Sequence, residues 1–125
     1  MARVLVVDDE LGIIDVLTRY LEKMGYQTFA ASSGEEALDF LTQNSVEAVL
    51  LDVKMPGMGG LTVLSRIRED YSNLPVIMIS GAADLEEAKA ALKEGAADYI
   101  QKPFQFDYLE QTLAIHILQR STGAD

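Results

Sequence analysis

The chain has 125 residues, 20 acidic against 10 basic side chains for a formal charge of −10, no cysteine, and nearly half its residues apolar. That length makes one domain with room for a real core, and the charge has the wrong sign for direct nucleic-acid or anionic-membrane binding. Lack of cysteine excludes disulfides and thiolate sites, and no apolar run reaches the roughly 18 residues of a membrane span or precedes a cleavage-like site, so a cytoplasmic location is expected.

Arg3 opens a first strand, Val4-Leu5-Val6-Val7, which ends on Asp8-Asp9-Glu10. A helix follows, with Ile13, Ile14, Leu17, Leu21 and Met24 at helical spacing and Gly25 as a left-handed stop. Gln27 to Ala31 is a short second strand. Ser33-Gly34-Glu35-Glu36 forms a capping box, in which the Ser33 hydroxyl and the Glu36 carboxylate each satisfy a free backbone N–H, and Ala37, Leu38 and Leu41 give the second helix its buried stripe. Ala48 to Leu51 is apolar at consecutive positions, as a parallel strand covered on both faces requires. It ends on a single carboxylate, Asp52. Pro56-Gly57 fits the centre of a type II turn in the loop that follows.

A third helix runs from about Leu61 to Tyr71, with Leu61, Leu64 and Ile67 inward. Pro75 introduces a fourth buried strand, Val76 to Ile79, which ends on Ser80-Gly81. Asp84-Leu85-Glu86-Glu87 caps a fourth helix that closes at Gly95. Its bulky anchors are only Leu85 and Leu92, so it is expected to sit loosely and to move. Ala97 to Ile100 is the last strand, Lys102-Pro103 follows, and a fifth helix runs from about Phe106 to Gln119 with Phe106, Leu109, Leu113 and Ile117 inward. Residues 1–120 make the domain, and 121–125 read as a tail or the start of a truncated linker. Strands and helices alternate five times with short connections, which indicates a doubly wound α/β domain with a parallel sheet.

In a parallel sheet every carboxyl end reaches the same edge, so Asp8, Asp9, Asp52, Ser80 and Lys102 converge. Carboxylates crowded there repel: two at about 5 Å cost roughly 3 kcal/mol at an effective dielectric near 20. Lys102 offsets one charge and a divalent cation the others. All-oxygen donors without histidine or cysteine select a hard ion such as Mg²⁺. A carboxylate beside Mg²⁺, an ammonium and a hydroxyl is equipped for phosphoryl transfer, with the carboxylate attacking phosphorus.

Asp8-Asp9, the Asp52-x-x-Met55-Pro56-Gly57 loop, Ser80-Gly81-Ala82 and Lys102-Pro103-Phe104 together resemble the receiver domain of two-component response regulators. The likeness covers almost the whole chain and implies a flavodoxin-like strand order 2-1-3-4-5 with five helices. By this resemblance Asp52 accepts a phosphoryl group from a sensor histidine kinase or phosphotransfer protein. Asp9 ligates Mg²⁺ directly, Asp8 acts through water, and Asp52 and the Lys54 carbonyl complete the protein ligands. Lys102 pairs with phosphoryl oxygens or Asp52, Ser80 reaches the phosphoryl group, and Tyr99 turns inward behind it, reshaping the face of the fourth helix, fifth strand and fifth helix. The resemblance also implies a cis peptide at Lys102-Pro103. The domain is then a signalling device that catalyses only its own phosphorylation and dephosphorylation. Ser80 stands where threonine is commoner, and Gly59 where the family often has an acid.

Blander readings exist for each residue. Asp8 and Asp9 suit a helix cap and a solvated neighbour, Asp52 a turn, Lys102 a surface, Ser80 a loop, and Tyr99 the core. Several independent strand ends would have to mimic a site together, which favours the joint reading. His116 reads as structural or solvated rather than as a ligand. Tyr108 and Ile115 fall opposite the inward stripe of the fifth helix, a candidate partner or phosphorylation-dependent dimer surface. A Mg²⁺-dependent phosphohydrolase using Asp52 covalently, and a phosphorylation-independent adaptor, are the alternative functions.

Overall fold

A computed structural model describes residues 2–121. Five strands, β1 (Arg3–Val7), β2 (Gln27–Ala31), β3 (Ala48–Asp52), β4 (Val76–Ser80) and β5 (Asp98–Gln101), alternate with five helices, α1 (Leu11–Lys23), α2 (Gly34–Gln43), α3 (Gly60–Asp70), α4 (Leu85–Lys93) and α5 (Phe106–Ser121). A short 3₁₀ turn, Ala82–Asp84, leads into α4. The strands form one parallel sheet in the order β2-β1-β3-β4-β5, the doubly wound arrangement expected.

Side chains alternate across a strand, and the sheet therefore feeds two cores. Leu5, Val7, Val49, Leu51, Val76 and Met78 pack with residues of α2, α3 and α4, while Val4, Val6, Leu50, Ile77, Ile79 and Ile100 pack with Leu17 and Leu21 of α1 and Leu109 and Leu113 of α5. β3 and β4 are buried at every position, which is why both read as unbroken apolar runs. The helices reach the sheet closely where glycine permits it. A Cβ on Gly60, the first residue of α3, would collide with the Asp52 carbonyl oxygen and lie 2.9 Å from Val53 Cα.

Five local expectations are corrected. Met24 is not part of the α1 stripe: the helix ends at Lys23, Met24 is its half-exposed C-cap, and Gly25 at φ +98° turns the chain away. At α2 the Ser33 hydroxyl accepts the Glu36 N–H at 3.1 Å, but the Glu36 carboxylate reaches the N–H of Ser32 at 2.6 Å rather than closing the box on Ser33. Asp84 makes no capping hydrogen bond at α4, because its carboxylate faces Lys54. The buried residues of α4 are Ala88 and Ala91, Leu85 is half-buried, and Leu92 is 41% exposed; small side chains let this helix approach the sheet, and Leu92 points away. Ser121, expected in the tail, is the last residue of α5, and residues 122–125 lie outside the described residues. Among the described residues no helix is long and apolar enough to cross a membrane.

Candidate functional site

Register builds the site. Val7 of β1 lies opposite Leu51 of β3, Asp52 opposite Ile79 of β4, and Ser80 opposite Gln101 of β5. One residue further along β1 and β5 come Asp8 and Lys102, so four neighbouring strands deliver Asp8, Asp52, Ser80 and Lys102 to one edge. By strand alternation Asp52 follows Ala48 and Leu50 onto the α1/α5 side, while Ser80 follows Val76 and Met78 onto the side of α2, α3 and α4.

The carboxylates converge. Asp8, Asp9 and Asp52 each offer an oxygen within 4.8 Å of the other two. Asp8 is 1% and Asp52 5% exposed, whereas Asp9 opens to solvent. Lys102 Nζ stands among them, 3.5 Å from Asp8 Oδ2 and 3.7 Å from Asp52 Oδ1. The Lys102–Pro103 peptide is cis.

Burial dominates the electrostatics. It pushes Asp52 up to about 6, the charge of Asp8 adds to the shift, and Lys102 and the Lys54 backbone N–H oppose it. Asp8 is likewise raised by burial, against the Glu10 N–H that it accepts at 2.9 Å and against Lys102. Burial alone would lower the Lys102 ammonium; the charges of Asp52, Asp8 and Glu10 outweigh it and hold the pKa above its ordinary value. Three acids facing one ammonium leave a surplus of negative charge, and a compact all-oxygen donor set of this kind fits a hard cation.

Ser80 is fully buried, and its Oγ has no hydrogen-bond partner among the described residues. Such a hydroxyl carries a desolvation cost unless some other group completes it. Tyr99 of β5 pairs with Met78 and is partly buried against the α2/α3/α4 core. Lys54 is placed differently from a residue reaching into the site. Its backbone N–H serves Asp52, but its side chain leaves the rim for α4, where Nζ lies 3.1 Å from Glu87 Oε1 and 3.6 Å from Asp84 Oδ1. His116, on α5, has Nε2 3.3 Å from Asp98 Oδ2, a link between α5 and β5 away from the acids.

Two participants escape a reading of strand ends. Glu10 Oε1 is 3.5 Å from Lys102 Nζ, as near as Asp8; its adjacency to the aspartate pair was the available signal. The contact of Lys54 with Glu87 spans 33 residues and leaves no local pattern. An apolar groove of about 480 Å³ lies beside the acids, lined by Ile13, Val16, Pro103, Phe104, Phe106 and the Lys102 stem.

Comparison with known proteins agrees with this geometry. The family model for the response regulator receiver domain matches residues 4–114. Sporulation initiation phosphotransferase F of Bacillus subtilis is 34% identical over 119 residues, covering 95% of this chain and 96% of that protein. The DNA-binding transcriptional regulator NtrC of Klebsiella pneumoniae is 41% identical over 102 residues, 82% of this chain but 22% of that longer protein. A crystal structure of a receiver domain protein from Clostridium thermocellum superposes with a TM-score of 0.93 at 34% identity, covering 98% of each chain. With its sheet order, its strand-end acids and a match along nearly its whole length, this chain belongs to the receiver domains of response regulators, the signalling domains of two-component systems.

Proposed function

We propose that Asp52 is the phosphoacceptor of this domain and that its phosphorylation, supported by Mg²⁺, controls the surface formed by α4, β5 and α5. The observation that carries this reading is the approach of three carboxylates and one ammonium at the carboxyl edge of the sheet. The donor is a phosphohistidine of a sensor kinase or phosphotransfer protein, as for response regulator receiver domains generally, and the apolar groove beside Lys102 offers such a protein a contact surface.

In the transfer an Asp52 oxygen forms a bond to phosphorus as the phosphorus–nitrogen bond of the donor breaks, and the departing imidazole keeps the electron pair and takes up a proton. With a pKa of about 6, Asp52 remains mostly ionised at neutral pH, so its lone pair is available. Asp8, Asp9, Asp52 and the Lys54 backbone carbonyl would hold the metal. Bound there, Mg²⁺ supplies positive charge against the acids and the phosphoryl oxygens. Lys102 pairs with a phosphoryl oxygen as Asp52 gives up its own charge. Ser80, whose hydroxyl is buried without a partner among the described residues, donates to another. Tyr99 packs against the α2/α3/α4 core and Ser80 points to the same side by strand alternation, which supports their role as the switch. The domain acts on itself rather than turning over an external substrate, in the cytoplasm. Direct DNA contact, named for the longer relative NtrC, falls outside this acidic domain.

Incubation with acetyl phosphate and Mg²⁺ is expected to add one phosphoryl mass that is absent with EDTA and absent from Asp52→Asn. A mass gain of the same size on the Asp52→Asn protein would falsify the assignment. Continuous turnover of small phosphomonoesters would favour a phosphohydrolase instead.

A further inference from the structure

Helix α4 fully buries only Ala88 and Ala91, side chains too small to anchor it strongly, and leaves Leu85 half-buried. Polar ties secure its two ends instead. At the C-terminal end Arg68 of α3 donates through Nη1 to the Gly95 carbonyl at 3.4 Å and to the Ser72 carbonyl at 3.1 Å, and through Nη2 to the Leu74 carbonyl. At the N-terminal end the tie is ionic, from Lys54 Nζ to Glu87 at 3.1 Å and Asp84 at 3.6 Å.

The two ties respond differently to charge. Arg68 grips neutral carbonyls from a half-buried position and has no stake in the acidic edge. Lys54 is 67% exposed at its side chain, its backbone N–H serves the Asp52 carboxylate, and it stands two residues from Asp52 in the chain. A phosphoryl group gathers close to two negative charges and three strong acceptor oxygens on one centre, and so competes for the ammonium with the separate Glu87 and Asp84 carboxylates. Asp84, Glu86 and Glu87, deprived of Lys54, would also repel it.

We propose that Lys54 latches the N-terminal half of α4 through Glu87 and Asp84 while Asp52 is unmodified. Phosphorylation draws Lys54 off this contact and frees that end to swing about the Arg68–Gly95 end. The release step rests on Asp52 as phosphoacceptor; the latch itself does not. It makes the loop after β3 a second route to α4, separate from Ser80 and Tyr99.

The test is amide hydrogen exchange on the full chain, with intact mass reporting phosphorylation by acetyl phosphate and Mg²⁺. Residues 85–89 of the wild type are expected to exchange about two- to fivefold faster once phosphorylated, the range an exposed ion pair spans. Glu87→Gln is expected to show that faster exchange already when unmodified and to gain little more on phosphorylation, while residues 91–96 keep the wild-type rate. Exchanging the partners, Lys54→Glu with Glu87→Lys, is expected to restore slow exchange in the unmodified protein. Wild-type exchange in unmodified Glu87→Gln, or no recovery on swapping the charges, overturns the latch. Absence of any mass gain on the wild type overturns the acceptor reading and the release step, and the unmodified variants still decide the tie.

Discussion

Asp52 is 5% exposed and lies beside Asp8, and burial followed by that neighbouring charge raises its pKa from 3.8 to about 6. The folded state therefore binds more protons than the unfolded state between those values, and unfolding free energy falls as pH rises through that window. The penalty is absent below about 3.8 and complete above about 6, where it is on the order of 2–3 kcal/mol. Asp52→Asn removes it, and Lys102 keeps Asp8 and Glu10 as partners. Without divalent ions, urea unfolding is expected to find Asp52→Asn more stable than wild type by roughly 1–3 kcal/mol at pH 7.5, with the difference shrinking toward zero near pH 4. A constant difference across that range would contradict a buried-charge origin. Ser80 makes a parallel case without charge. Its hydroxyl is buried and has no partner among the described residues, so Ser80→Ala is expected to leave the unmodified fold as stable or to gain about 1 kcal/mol. A loss above that size would mean the hydroxyl already bonds in the unmodified protein.

At the scale of elements, α3 starts directly over the end of β3. Gly60 donates its N–H to the Val53 carbonyl at 3.0 Å, and a Cβ there would strike the Asp52 carbonyl oxygen. The obstacle is backbone, which cannot rotate aside. Gly60→Ala is expected to cost roughly 1–3 kcal/mol in urea unfolding and to slow phosphorylation by displacing Asp52, whereas Gly12→Ala, with nothing near its Cβ, should not destabilise the fold. Equal stability of the two variants would show that α3 can shift freely. What could be read of the elements follows the range of the forces that make them. β3 and β4 were legible because burial on both faces writes an apolar run into consecutive residues, and Gly25 and Gly95 because a positive φ favours glycine. The anchoring of α4 was not: side-chain size pointed to Leu85 and Leu92, but close packing on a sheet selects Ala88 and Ala91, with Leu85 only half-buried and Leu92 exposed. The Asp84 cap failed for a related reason. Local geometry allowed it, and a lysine 30 residues away in the chain took the carboxylate.

For the whole molecule, convergence of the site was legible because parallel strands can bring their carboxyl ends only to one edge, so Asp8, Asp52, Ser80 and Lys102 needed no distances to be grouped. Contacts of Lys102 with Glu10, and of Lys54 with Glu87, depend on where long side chains finally lie, which no local sequence pattern encodes. The outer surface carries the last consequence. Tyr108 and Ile115 are 52% and 53% exposed on α5, and Leu92 projects from α4, on a domain whose formal charge is −10. Two such molecules repel at long range, so an association through this face needs apolar contact at its centre and strengthens as salt screens the charge. Phosphorylated wild type is accordingly expected to shift toward dimer in size exclusion, more so at 0.5 M than at 0.05 M salt. Ile115→Glu, which places one carboxylate from each subunit into that contact, is expected to stay monomeric at concentrations where wild type pairs, with the same phosphoryl mass gain because Ile115 is not among the residues of the acidic edge. Equal dimer fractions for the two phosphorylated proteins would remove Ile115 from the contact and leave its exposure an ordinary feature of the α5 surface.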